Sequence, residues 1–145
     1  MKSILTVSLS LILVTAALAD DKSDLQGLWQ AEKVVGNGKE APPAVVKKFR
    51  IQIEGDTLTF NPGGENRRHT ITLDPKAKPK AMDLTPLDGP AKGRTLPVAI
   101  YELKGDTLRI CLDKEGRSGK RPTRFKTVAG DGLAVLTLKR VKKAR

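Results

Sequence analysis

Apolar residues recur at every second position along most of this chain, in runs too short for helices. Phe49, Ile51 and Ile53 alternate with Arg50, Gln52 and Glu54, the pattern of a strand with one buried side. Glu54-Gly55-Asp56 turns the chain, and Leu58 and Phe60 resume the apolar face, so the pair predicts a hairpin. Arg67–Asp74 is a further strand with His69, Ile71 and Leu73 on one side, and Ala81–Thr85 a short one with Met82 and Leu84 paired. Thr95–Leu103 carries apolar residues in both phases, which calls for a bulge or burial on two faces. Lys104-Gly105-Asp106 turns into Thr107–Asp113, with Leu108, Ile110 and Leu112 inward. Arg121–Thr127 reads as a strand around Phe125. Gly130-Asp131-Gly132 leads into Leu133–Val141, with Leu136, Leu138 and Arg140 on one face.

The first of these strands spans Leu25–Val35. Leu25, Gly27, Trp29, Ala31 and Val35 share its apolar face, with Lys33 the exception. A helix through Leu25, Leu28 and Trp29 is the competing reading; Gly27 and the Gly36-Asn37-Gly38 turn argue against it. Pro42-Pro43 followed by Ala44-Val45-Val46 predicts a short helical turn after this strand. Ile53-Glu54-Gly55-Asp56-Thr57-Leu58 is echoed by Leu103-Lys104-Gly105-Asp106-Thr107-Leu108, either a duplication or, as we read it, one good turn used twice. Eight to nine short strands separated by Gly, Pro and Asp turns define an all-β, antiparallel sandwich or barrel, and the barrel leaves no open edges.

The first 19 residues stand apart from this pattern. Lys2 precedes an apolar run from Ile4 to Leu18, and Ala17-Leu18-Ala19 offers a small-x-small cleavage site before Asp20, the arrangement of a signal peptide. The run is shorter than the roughly 20 residues of a spanning helix. The expectation is a secreted or periplasmic domain over residues 20–145, monomeric, without a further membrane segment and with a basic tail at 141–145. One cysteine excludes an internal disulfide.

Charge changes the picture at the C-terminal end. Residues 20–113 are nearly balanced, with 15 basic and 14 acidic groups, whereas residues 114–145 hold 11 basic and 2 acidic. Such asymmetry suits an anionic partner such as an acidic polysaccharide, a lipid headgroup or an acidic protein; the plain alternative is a solvated basic face. Lys120, Arg121, Arg124 and Lys126 are the candidate ligand-binding residues, joined by Lys92 and Arg94 if the loops gather at one barrel end. Arg forks suit sulfate, phosphate and carboxylate. The secretory leader and the scarcity of aromatics among these cations disfavour nucleic acid.

Gly27-Leu28-Trp29 resembles the Gly-x-Trp signature of lipocalins, in which the Trp closes one barrel end and a basic residue of the last strand packs across it. The resemblance assigns that role to Arg140, with Lys139 as the alternative. Leu25-Gln26-Gly27-Leu28-Trp29, Leu73-Asp74-Pro75, Pro79-Lys80-Ala81-Met82-Asp83-Leu84, Ile100-Tyr101-Glu102-Leu103, Gly105-Asp106-Thr107-Leu108-Arg109-Ile110-Cys111 and Arg121-Pro122-Thr123-Arg124-Phe125 together resemble a planctomycete family of small secreted lipocalin-like domains. The resemblance implies a single antiparallel lipocalin-like barrel and an extracytoplasmic compartment, and carries no activity with it. The chain is shorter than ligand-carrying lipocalins, lacks their C-terminal helix and has five aromatic residues. These departures argue against a roomy pocket, and about eight strands can be filled by side chains alone.

Catalytic chemistry finds little support. His69, the sole histidine, could act as a base or ligand in a cavity with Phe60 and Tyr101, but no second His or Cys accompanies it, and a structural role is the simpler reading. Cys111 is either an exposed thiol beside Arg109, open to a lowered pKa or an intermolecular disulfide, or a small residue packed under a loop. Asp74, Asp83 and Asp88 are turn residues whose spacing fits no calcium loop. No catalytic residue, metal site or cofactor is assigned. The expected function is a non-enzymatic binding module, with a filled structural or protein-interaction domain of the envelope as the alternative and an enzyme around His69 as a minority reading.

Overall fold

The computed structural model describes residues 20–61, 63–114 and 119–142. The leader read over residues 1–19 and the end of the basic tail, 143–145, lie outside the described residues. A helical turn, α1 (Asp21–Asp24), precedes β1 (Gly27–Gly36) and β2 (Lys39–Glu40). A second turn, α2 (Pro43–Val46), leads to β3 (Arg50–Glu54), β4 (Thr57–Asn61), β5 (Arg67–Asp74) and β6 (Lys80–Pro86). β7 (Leu96–Lys104), β8 (Thr107–Asp113) and β9 (Leu133–Arg140) complete the order. Each strand from β3 to β9 pairs antiparallel with the next, and β1 pairs with both β3 and β9. Eight strands therefore close into a barrel, with β2 as an extra strand beside β1. This is the all-β barrel predicted by the alternation, and it is consistent with a lipocalin-like fold.

The irregularities in the sequence pattern are bulges. Register shifts between Ala31 and Lys33 opposite β9, so the inward phase passes from Ala31 to Val34, which packs on the core; Lys33 ceases to be an exception, and Val35 points outward. A second shift opposite Met82 and Leu84 lets Leu96, Val98, Ala99 and Tyr101 of β7 all join the core. The extra residue of a bulge reverses which side of the sheet its neighbours face.

Both ends of the barrel are covered. At one end α1 folds under the strands. Leu25 caps this helical turn instead of starting β1, a correction to the sequence reading. Asp20 accepts from the Lys22 amide at 3.1 Å, and the Trp29 indole donates to the Leu25 carbonyl at 2.9 Å, which holds the turn. Asp21, 7% exposed, accepts from the Tyr101 hydroxyl at 2.8 Å and from Lys80 at 2.7 Å. Arg140 lies 4.4 Å over the Trp29 ring and donates to the carbonyls of Gln26 and Asp24. Gly27 has φ +118°, a conformation that L side chains rarely adopt, so the first position of the Gly-x-Trp start has a backbone reason. The two echoed turns meet at this end, with Asp56 paired to Lys22 and Asp106 to Arg140. At the other end α2 buries Val46. The Gln30 amide reaches the Val46, Lys47 and Phe49 carbonyls, and Phe49, Phe60 and His69 pack edge to face.

Residues 121–127 form no strand, contrary to the alternation reading. They make a strap over the outside of the sheet. Ala81, Ile100, Cys111 and Val135 are neighbours across β6–β9 on the outward side, and the first three are almost fully buried. This apolar outer row, together with the buried Pro122, drives the segment to lie on the sheet instead of joining it.

Replacing Asp21 by Ala leaves the buried Tyr101 hydroxyl without its acceptor. The expected cost is about 2 kcal/mol, measured as a Tm drop of roughly 6–10 °C. Burial raises the Asp21 carboxyl, but the bonds from Lys80 and Tyr101 outweigh it and the net value lies below the ordinary one. That stabilisation is complete above the unfolded value of about 3.9 and is lost as pH falls through the lower folded value. The Tm gap between wild type and Asp21→Asn therefore closes in acid.

Candidate functional site

The sequence-assigned cations fall into two places. Lys120, Arg121, Arg124 and Lys126 line one groove of about 360 Å³ along the strap, with Pro122, Thr123, Val128 and Asp131. Lys92 and Arg94 stand exposed on the turn between β6 and β7, outside the lining of this groove. Within it Arg121 is an anchor. Its guanidinium donates to the Met82 and Ala99 carbonyls at 3.2 and 2.9 Å and pairs with Asp83, so it staples the strap to β6 and β7. Arg124 and Lys126 are exposed and carry no ion-pair partner among the described residues. Asp131 accepts from the Thr127 hydroxyl and from the Val128 and Leu133 amides, so it shapes the turn without neutralising those two cations.

Cys111 is 0% exposed under the strap, which settles its two readings in favour of the packed residue. Burial pushes its thiol above the ordinary value, with a backbone bond from Lys126 acting the other way. The remaining turn carboxylates are engaged as well. Asp88 pairs with Arg68 at 3.1 Å, and Asp74 accepts from the Lys76 amide at 3.2 Å.

The three cavity candidates are not brought together. His69 and Phe60 pack at 5.4 Å at the α2 end, while Tyr101 points to Asp21 at the α1 end. His69 lies opposite Pro86 and Tyr101 opposite Lys80, which puts them at opposite ends of β6. Among the described residues, buried His69 Nδ1 has no hydrogen-bond partner and no carboxylate bonds the ring. Among the described residues no group of His, Cys, Asp and Glu is arranged to hold a metal ion, and no helix is long and apolar enough to cross a membrane. Trp29 and Arg140, named for barrel closure, are in direct contact.

A second basic groove was missed in the sequence. It measures about 550 Å³ and is lined by Lys76, Lys78, Lys80 and Lys104 beside Tyr101 and Phe125. Lys80 is committed to Asp21, and Lys104 lies 3.7 Å from Glu102. Lys76 and Lys78 have no ion-pair partner among the described residues. The alternate lysines of Lys76-Ala77-Lys78-Pro79-Lys80 were the available signal, hidden because the overall charge of residues 20–113 is balanced.

Two measurements follow from these placements. Arg121→Ala frees the strap, and the Cys111 thiol should then react with a thiol reagent at least roughly tenfold faster than in the native protein, as protection by local structure is lost. Burial holds the His69 imidazole below its ordinary value. As pH falls below about 6.5 the unfolded chain takes a proton that the folded chain refuses, so stability declines until the lower folded value is reached. His69→Phe should abolish that slope in denaturant melts between pH 7 and 5.

Compared with protein-family models, curated proteins and solved structures, the chain matches none.

Proposed function

We propose that this protein is a non-enzymatic binding module, exported to the periplasm or the medium, which uses a filled barrel as a rigid scaffold and takes an anionic ligand on its outer surface. The observation that carries the reading is the strap groove. Arg124 and Lys126 stand there without ion-pair partners among the described residues, on a segment whose path is held by Arg121 and by the packing of Cys111. A pinned backbone presenting open cations limits the ordering cost of binding. An enclosed small ligand is the weaker reading. The inward side chains of all eight barrel strands contribute to one contacting core cluster, and α1 and α2 cover the two ends. The apolar run from Ile4 to Leu18 and the small residues before Asp20 support export.

Calorimetric titration of the purified protein with sulfate, uronate oligosaccharides and anionic lipid vesicles at low salt tests the reading. At least one anion should bind, and its affinity should fall as salt rises. Arg124→Gln with Lys126→Gln should weaken it roughly tenfold, about a factor of three to five per cation near an anionic surface. Absence of binding to every anion, or unchanged affinity in the double variant, refutes the assignment.

A further inference from the structure

We infer that the binding surface is one continuous channel over the outside of β6–β9 and β1, and that its ligand is an extended acidic polysaccharide. The inference rests on the anionic-ligand reading above and names the ligand class for the same face.

Three grooves adjoin, each sharing a lining residue with the next. The strap groove shares Lys126 with a middle groove of about 300 Å³, where Lys33 and Arg109 flank Thr137. The middle groove shares Phe125 with the lysine groove of Lys76 and Lys78. Beneath the middle of this path, Glu102, Arg109, Thr137 and Lys33 are register neighbours on β7, β8, β9 and β1. From β6 to β1 is four interstrand steps, about 19 Å, so the channel suits a chain of several sugar units and exceeds a single anion.

The charge along it is unbalanced at both ends. The carboxylates in the three linings, among the described residues, are Glu102 and Asp131, and each is engaged. Glu102 pairs with Arg109 at 3.1 Å, and Asp131 accepts from the Leu133 amide of its own turn. Lys76 and Lys78 at one end, and Arg124 and Lys126 at the other, have no ion-pair partner among the described residues. Between them the half-buried Phe125 ring is held by the Arg109 guanidinium, 4.4 Å from its centre. It offers the C–H face of a sugar a fixed aromatic surface.

Other polyanions fit less well. An extended peptide gains affinity by adding to a strand edge, and the strands under this channel are paired on both sides. A folded acidic protein needs a buried apolar anchor, but among the described residues the exposed large apolar side chains are Val45, Val128 and Val141, of which only Val128 borders the channel. Single-stranded nucleic acid binds through successive stacking platforms, and Phe125 is the one aromatic ring along the path besides the committed Tyr101.

The test measures affinity for uronate chains of increasing length, with polyglutamate and single-stranded DNA of matched charge as comparators. Affinity for uronate should rise with length, level off once the channel is spanned, and exceed that for either comparator. Lys76→Gln with Lys78→Gln, both at the surface, should weaken the long chain roughly tenfold, so that the variant binds long and short chains alike. Phe125→Leu, with its fold checked by circular dichroism, should weaken uronate more than polyglutamate. Length-independent affinity in wild type, unaffected by the lysine variant, overturns the channel while leaving the strap groove as the site. Tighter binding of polyglutamate or DNA overturns the polysaccharide. Failure of every anion to bind overturns the underlying reading as well.

Discussion

The guanidinium of Arg140 holds the closed end of this barrel together. It stands at the end of the last strand, paired in register with Trp29 of the first, and its Cζ lies 4.4 Å from the centre of the indole ring. Its N–H groups reach the Gln26 and Asp24 carbonyls at 2.8 and 2.6 Å and the Asp106 carboxylate at 3.1 Å. One planar fork thus satisfies the carbonyls at the α1–β1 corner, braces the β7–β8 turn and shields the Trp. Lysine has no planar fork and could not serve all of these at once. With that corner set, α1 lies under the strands, and Asp21 can meet Tyr101 and Lys80.

Closing and filling the barrel commits its inward side chains to packing. Inside, Ile51, Ile53, Leu58, Met82, Ile110, Leu136 and Leu138 are almost completely buried in one cluster, so the interior is structural. Outside, the sheet between β6 and β9 carries an apolar row that water would penalise, and the 121–127 strap covers it. Covering that row with a basic segment has two effects at once. Arg121 is drawn inward to donate to the Met82 and Ala99 carbonyls on β6 and β7, and its neighbours Arg124 and Lys126 are left on the surface. The distinction between an anchoring and an available cation comes from burial, since the residue types are alike.

The candidate site was partly legible. Alternation located Cys111 on the outward side, and charge asymmetry pointed to Lys120–Lys126, which do share a groove. Three things were not legible. The strap could not be told from a strand, because Phe125 alternating with cations fits both. Lys92 and Arg94 were grouped with the strap on the assumption that the loops gather at one end, yet the strap leaves that end and runs along the barrel wall. Phe60 and His69 lay on apolar faces and Tyr101 on a strand apolar in both phases, but phase says which side of a sheet a residue faces and nothing about its depth along the barrel axis.

By itself the sequence determined most of the strands, the turns between them and the inward phase along the regular stretches. These depend on local causes: side chains alternate at period two, Gly55 and Gly105 supply positive φ at the two echoed turns, and Pro43 starts α2. Tertiary structure decided which strands close on which, where the bulges absorb Lys33 and the double phase of β7, that Leu25 caps a helix, and which cations remain without partners. Those outcomes depend on contacts between residues far apart in the chain, such as Arg140 with Gln26 and Arg121 with Ala99. A pattern read along one strand carries no record of what packs across it.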